Sequence, residues 1–478
     1  MTPKLTIGLP WLGFVLLAIV TLSSLLPIQP NDYWWYVRLG QDIIETGTIP
    51  TVDHYSYTQA DQPIVYHSWL SSVLFFVSSQ VEGLGLTFLV RNLLLLVFYF
   101  CIWLCCRLSG TGPVLSGLLT LLAALAGSNN WAMRPQLFSF FCFGIALVVL
   151  WRWQQGETQT RWLWVLPVIT IVWANLHGAF ILIFLLAGAA FVGGGGNRLK
   201  LGKVIAAMVV ASLITPRFVG SWLYVLTLLT DPPSQQLGAE WAPPINEGWQ
   251  GNFFFAWLLL MIPLATFSPS KPNLTQWLWL LGFGWMALSG LRYVIWFLAL
   301  LTPFTAQLLA PLISRWITWN RRQRSYLKFD VIFTCCILLL SLALLPGIRE
   351  RWWPSAPPPL SKQTPIEATQ WLAEHPDLAG PIWADLGFSS YFIYALPGRP
   401  VWIDTRFELY PLDSWQDYIA ISTAASDWEQ RLDQTDVQLL ILDPKQQAHL
   451  LTEVEQSSHW VLRYQDDVAS IYSRKGEE

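Results

Sequence analysis

Residues 31–57 read NDYWWYVRLGQDIIETGTIPTVDHYSY and directly follow the first long apolar run of the chain. At helical spacing Arg38, Gln41, Asp42 and Glu45 share one face and Trp35, Leu39 and Ile43 another, which predicts an amphipathic helix rather than a spanning one. Asn31 or Asp32 can cap its start, and Gly47 can end it. An apolar face beside a membrane segment predicts a helix lying in the interface plane. Asp32, together with Asp53 and His54 in the polar loop that follows, then forms the candidate catalytic set at the mouth of a membrane bundle.

The membrane follows from composition. Of 478 residues, 54% are hydrophobic and 12% charged, about half the ~25% charged share of soluble domains, and the mean hydropathy is +0.42. Apolar runs at 5–28, 84–106, 114–127, 136–151, 162–176, 179–192, 204–213, 253–267, 277–288, 293–312 and 331–345 predict a mainly α, polytopic bundle of about eleven spans. The run at 5–28 is read as an anchor rather than a cleaved signal, because it is long and lacks a small-residue cleavage site. Residues 69–81 are too short to span comfortably and read as a second interfacial or re-entrant helix. All six cysteines lie inside apolar runs, which excludes a disulfide framework.

Basic residues orient the bundle. Lys4, Arg107, Arg152, Arg161, Arg198, Lys200, Lys203, Lys271 and the run from Arg315 to Lys328 fall in one set of alternate loops, which is therefore cytoplasmic. The N-terminus is expected inside and the C-terminus outside an inner (plasma) membrane. Residues 1–350 read as the membrane domain, with an external interfacial loop at 29–83, and PSAPPP at 354–359 marks a stiff linker within 351–361. Residues 362–478 read as a small external α/β domain, with a capping box at Thr364, Pro365 and Glu367 and strands at 381–384, 400–403, 437–442, 460–464 and 468–472.

Several side chains on the predicted external side carry candidate chemistry. Asp53 and His54 are adjacent carboxylate and imidazole groups; with Asp32 they are the candidate ligands for a divalent ion such as Mg or Mn, although neighbours in an extended loop point apart. Asp32 has two compatible readings, helix cap and general base. Arg134, Arg217 and Arg292 persist where the positive-inside bias disfavours them, so they read either as snorkelling side chains or as phosphate contacts, and Arg38 joins them as a substrate-binding candidate. Asn175 and His177 are buried partners or substrate contacts. Glu240 and Trp241, in EWAPP, offer a carboxylate and an indole on which a sugar can stack, or an ordinary interfacial tryptophan. Asp404 and Arg406 read as a local ion pair in a turn.

The first external loop with Asp32, its interfacial helices, the span count and the external C-terminal domain together resemble the GT-C superfamily of multi-pass glycosyltransferases, specifically bacterial protein-mannosyltransferase-like and lipopolysaccharide sugar transferases. The phrases DYWWYVRLGQ, RPQ, WANLHG, EWAPP and RYV are similar to a set in bacterial membrane proteins of this kind. Where that family often shows an acidic pair, Asn31 stands first and Asp32 alone is acidic. The resemblance implies an enzyme of hexosyltransferase type that moves a sugar from a polyprenyl-phosphate-linked donor to an external glycan, lipid or protein acceptor. It implies Asp32 as base and arginines on the phosphate, and no nucleic-acid partner. A lipid-linked polysaccharide polymerase or ligase, a transporter, and a non-catalytic assembly protein are the alternatives.

Overall fold

Each of the eleven apolar runs is helical in the computed structural model, which describes residues 9–81, 84–156, 160–316 and 327–475. Lys4 and the basic residues Arg321, Arg322 and Arg324 lie outside the described residues. By packing, the chain forms two compact units, one of Met1–Leu26, Val81–Val225 and Ala239–Ala356, the other of Pro27–Gln80, Leu226–Gly238 and Pro357–Glu478. Residues 29–80 thus fall in the same unit as the C-terminal region.

The first unit is all helix. Among the described residues, four helices are long and apolar enough to cross a membrane: Gly85–Leu108, Gln136–Gln154, Gly248–Phe267 and Leu291–Ile313. The other runs form helices of 12 to 17 residues, shorter than the ~20 that a straight crossing takes. Aromatic rings fill the core, with Trp296 edge-on to Phe140 at 5.0 Å and Trp151 stacked on Trp279 at 5.9 Å. The end of the Leu9–Leu25 helix leaves carbonyls that need donors. Arg91 supplies them to Ser23 and Leu26, the latter at 2.8 Å, and Arg349 donates to the Ser24 carbonyl at 2.6 Å. Both arginines are buried, so two cations cap the negative end of one helix.

The second unit is built on a four-stranded sheet of β1 (Ile382–Ala384), β2 (Leu439–Leu442), β3 (Trp460–Gln465) and β4 (Ser470–Arg474), in the order β1-β2-β4-β3. β1 and β2 are parallel and the other pairs antiparallel. Four of the five expected strands are present. Residues 400–403 make only single bridges, Val401 pairing with Ile382 on one side and Ser56 on the other. Through that second bridge the loop after residue 48 extends the sheet edge, with the Tyr57 N–H donating to the Val401 carbonyl at 3.1 Å and the Val401 N–H to that of Tyr55 at 3.0 Å. The proline-rich stretch is likewise paired, since the Ile28 N–H donates to the Pro359 carbonyl at 2.9 Å and the Ser361 N–H to that of Ile28 at 2.8 Å.

The amphipathic helix forms as Tyr33–Thr46 and ends at Gly47, whose φ of 69° suits a residue without Cβ. Its apolar face is covered by protein: Trp34 stands edge-on to Tyr391 at 5.0 Å, and the Trp69–Ser79 helix packs so closely that a Cβ on Gly40 would lie 2.1 Å from the Ser72 carbonyl oxygen. Amphipathic spacing reports which face leaves water, not what covers it. Asp32 occupies the cap position in a helical conformation, and its side chain makes no capping hydrogen bond. At the other expected cap, the helix begins at Ile366 with Pro365 as its cap residue and no side-chain capping bond from Pro365, so the Thr364 capping box does not form as read.

One buried ion cluster locks this unit. Asp53 accepts hydrogen bonds from the Ser56 N–H at 2.9 Å, the Ser56 hydroxyl at 2.6 Å, the Tyr55 N–H at 3.3 Å and the Arg406 guanidinium. Asp404 accepts from the Arg406 N–H at 2.9 Å, from Arg406 Nε at 2.8 Å and from the Tyr410 hydroxyl at 2.6 Å, and also pairs with Arg406 Nη2. The guanidinium further donates to the Tyr66 hydroxyl at 2.9 Å and lies 5.2 Å from the Tyr55 ring centre. The expected Asp404–Arg406 pair is therefore present, with Asp53 as its unexpected third member. Burial pushes the Asp53 carboxyl up, but Arg406 and the Ser56 hydrogen bonds outweigh it and hold it below the usual carboxylate range.

The cluster predicts an asymmetry. Arg406→Met leaves two buried carboxylates without a counter-charge and should cost about 3–5 kcal/mol. Asp53→Asn keeps the Asp404 pair and should cost about 1.5–3 kcal/mol, the scale of hydrogen bonds to a charged group. Because the folded carboxyl titrates below its unfolded value, Asp53 contributes its full stability above about pH 4 and loses it as pH falls through the folded pKa. The gap between wild type and Asp53→Asn should close on acidification, measured by denaturant unfolding in detergent. A gap that widens below that pH would contradict the cluster.

Candidate functional site

In the helical unit, three short segments next to helix starts converge on one carboxylate. Arg134 precedes Pro135, whose fixed φ suits the start of the Gln136–Gln154 helix. Arg292 sits in the 3-10 turn Leu291–Tyr293 ahead of Val294–Trp316, and Glu240 in the 3-10 turn Ala239–Trp241. The Leu291 N–H donates to the Ala242 carbonyl at 2.8 Å and pins the two turns together. At the junction, a Cβ on Gly290 would lie 3.2 Å from the Trp241 carbonyl oxygen.

Arg134 Nη1 donates to Glu240 Oε2 at 2.7 Å, and Arg292 Nη1 lies 3.4 Å from Oε1. The Arg292 guanidinium stacks 4.2 Å from the Trp241 ring centre, and Tyr293 meets that indole edge-on at 6.3 Å. Burial pushes the Glu240 carboxyl up, yet Arg292 and Arg134 outweigh it and hold it below the usual range. The cluster carries two positive charges and one negative, and its side chains remain partly open to solvent, at 32% for Arg134, 37% for Glu240 and 19% for Arg292. Trp241 is itself only 9% exposed and serves Arg292 as a packing surface. Beside the cluster, a cavity of about 360 Å³ is walled by Ala239, Ala242, Leu291 and Val294, the neighbours of the charged residues, and by Asn129 and Gln250.

The remaining candidates of this unit have structural contacts. Asn175 Nδ2 donates to the carbonyls of Ile171 and Ile214, both at 2.9 Å, and so ties the end of the Val165–Leu176 helix to the segment after Arg198–Ser212. His177 breaks the chain between two helices; its Nδ1 accepts the Ala179 N–H at 3.3 Å and the Ser139 hydroxyl at 2.8 Å, which places the ring proton on Nε2. Ser139 accepts in turn from Trp173 Nε1 at 2.7 Å. Arg217 follows a turn in which its own N–H donates to Thr215 Oγ1 at 3.3 Å, and burial lowers its guanidinium pKa. Glu240 takes its hydrogen bond and ion pairs from Arg134 and Arg292.

In the other unit the predicted set separates. Asp53 is sealed in the Arg406 cluster, whereas the His54 side chain is 60% exposed and lies 3.9 Å from Asp61. Arg38 pairs with Asp42 at 3.0 Å, and Asp42 also accepts from the Tyr55 hydroxyl at 2.6 Å, so Arg38 is tied into the packing of its own helix. Among the described residues, no three His, Cys, Asp or Glu side chains are gathered to hold a metal ion, and the oxygens of Asp53 are committed to Arg406, Ser56 and Tyr55. These residues do not fit an Mg or Mn site built from Asp32, Asp53 and His54.

Sequence reasoning passed over Arg91, Arg349 and the role of Arg406. Arg91 carried a signal, a lone cation inside an apolar run, which marks an intramembrane group that must find partners.

No protein-family model matches the sequence, and no curated protein matches it. Solved structures do. The archaeal oligosaccharyltransferase AglB from Archaeoglobus fulgidus, in complex with an inhibitory peptide and a dolichol-phosphate, superposes with a TM-score of 0.56 at 12% identity, over 97% of this chain and 74% of that one. The arabinofuranosyltransferase AftD from Mycobacteria gives 0.56 at 15% identity over 98% of this chain, which spans 42% of that longer protein. ArnT from Cupriavidus metallidurans, bound to undecaprenyl phosphate, gives 0.50 at 13% identity over 97% of both chains. These neighbours are GT-C glycosyltransferases, and at such identities the likeness is one of fold: this chain has the GT-C fold.

Proposed function

We propose that the protein is a membrane-embedded glycosyltransferase that moves a sugar from a polyprenyl-phosphate-linked donor to an acceptor hydroxyl at the external face of the membrane. The observation that carries this reading is the convergence of Arg134 and Arg292 on one anion, in a chain whose fold neighbours include proteins solved with dolichol-phosphate and undecaprenyl phosphate. Two guanidinium groups that hold a carboxylate offer the same forked donors to a phosphate.

In the reaction, the acceptor oxygen forms a bond to the anomeric carbon as the bond from that carbon to the phosphate oxygen breaks. The lipid phosphate leaves with the electron pair, and Arg134 and Arg292 stabilise the charge it gains. The hydroxyl proton passes to a general base. No step is routed through Mg or Mn. A second reading, transfer of a whole lipid-linked oligosaccharide, is favoured by the likeness to an oligosaccharyltransferase. It uses the same residues and differs in the length of sugar moved.

Asp32→Asn is the direct test. Asp32 is the base candidate that the family resemblance implies; the change is nearly isosteric and keeps hydrogen-bonding capacity, so the protein should fold, while transfer from a labelled polyprenyl-phosphate sugar should fall about 100- to 10,000-fold with loss of the base. Full turnover in a folded Asp32→Asn protein would remove Asp32 from the mechanism. The face is tested separately. A reporter fused after Gly347 should be active only on the external side, and activity of a cytoplasm-restricted reporter there would invert the topology.

A further inference from the structure

Glu240 occupies the place an incoming phosphate would need. We infer that Glu240 is a resident counter-ion that exchanges with the donor phosphate between Arg134 and Arg292 and returns as the lipid phosphate leaves; this rests on the phosphate-binding role proposed for those arginines.

Charge makes the two anions mutually exclusive. The donor's phosphodiester carries one negative charge and the lipid phosphate monoester it leaves about −1.5 to −2 near neutral pH, which two guanidinium groups balance, whereas a carboxylate left between them would repel either at close range. Geometry permits the exchange. The Glu240 side chain is 37% exposed and sits on a three-residue turn, so a change of side-chain rotamer carries its carboxylate into water. Arg292 has a second hold that does not involve Glu240, the Trp241 ring at 4.2 Å. Arg292 therefore keeps its place when Glu240 swings out. In the empty state the carboxylate holds both guanidinium groups ready and lowers the cost of bringing two cations together.

The test measures binding of undecaprenyl phosphate to the purified full-length protein in detergent. Glu240→Gln is nearly isosteric and removes the competing charge, so it should bind about tenfold more tightly, the scale of one partly screened unit-charge repulsion. In turnover, KM for the donor should fall while kcat also falls, because the lipid phosphate product is released more slowly. A Glu240 that merely braces the arginines predicts the opposite, weaker binding and a higher KM. Glu240→Asp, which draws the carboxylate back by one methylene, should fall between wild type and Glu240→Gln and serves where the latter does not fold. Unchanged or weaker binding by folded Glu240 variants, with Arg134→Ala and Arg292→Ala both impaired, overturns the exchange and leaves the phosphate site standing. Wild-type binding by both arginine variants overturns the site itself.

Discussion

The guanidinium of Arg406 lies between carboxylates at positions 53 and 404, and the unit containing it depends on that contact. The chain from Thr48 to Ser68 has no helix and no named strand of its own; scattered backbone bonds, such as the Asp53 N–H to the Gln62 carbonyl at 2.9 Å and the Ile64 N–H to the Thr51 carbonyl at 3.0 Å, close its loop, and side chains fix the rest. Asp53 provides the anchor: its oxygens turn the backbone through Tyr55 and Ser56 and reach the guanidinium. Tyr55 and Tyr57 then fall into register with Val401, and Asp42 receives the Tyr55 hydroxyl. A buried ion triplet is a weak source of net stability but a strong selector of one arrangement, since every other placement strands a charge away from water.

What the sequence made legible was periodic or local. Each of the eleven apolar runs located a helix, and alternation with punctuation located four strands of the sheet. Gly47 was readable as a stop because a left-handed residue at a helix end favours glycine. The failures were of two kinds. Cap assignments at Asp32 and Thr364 rested on residue type, whereas capping depends on backbone angles that tertiary packing sets. Partners across the chain were invisible: the contact from Arg406 to Asp53 spans 353 residues, and no spacing rule announces it. The cation that packs on Trp241, Arg292, likewise belongs to a distant turn. The proline-rich stretch reads as a stiff linker, and composition does not reveal that Ile28 lies alongside its end.

Two charge clusters in this protein are near inversions of each other. Around Arg406 two carboxylates share one cation, with side chains no more than 1% exposed; around Glu240 two cations share one carboxylate, with side chains about a fifth to over a third exposed. Burial decides what each can do. In the first, every hydrogen-bond direction of both carboxylates points to a fixed protein donor, so exchange with a solute would expose a charge to a dry interior. The second is open to water, and its surplus is positive. A surplus of guanidinium charge at a solvated edge attracts anions, and a cavity of about 360 Å³ opens beside it.

The placement of polar groups also bears on what kind of membrane protein this fold supports. A transporter needs ionisable side chains near the middle of its spans, where the substrate crosses. Here Arg134, Glu240, Arg292 and His177 all stand at turns between helices. Arg91, a cation carried within one of the four long apolar helices, spends its donors on the carbonyls that end the Leu9–Leu25 helix. It thereby completes a neighbouring helix rather than lining a path. Polar chemistry confined to helix ends suits a reaction at the membrane boundary, where the phosphate of a lipid-linked sugar lies while its polyprenyl chain stays in the bilayer. The same confinement leaves the bundle interior to apolar and aromatic packing, so the helices need only hold the charged turns at their ends in register.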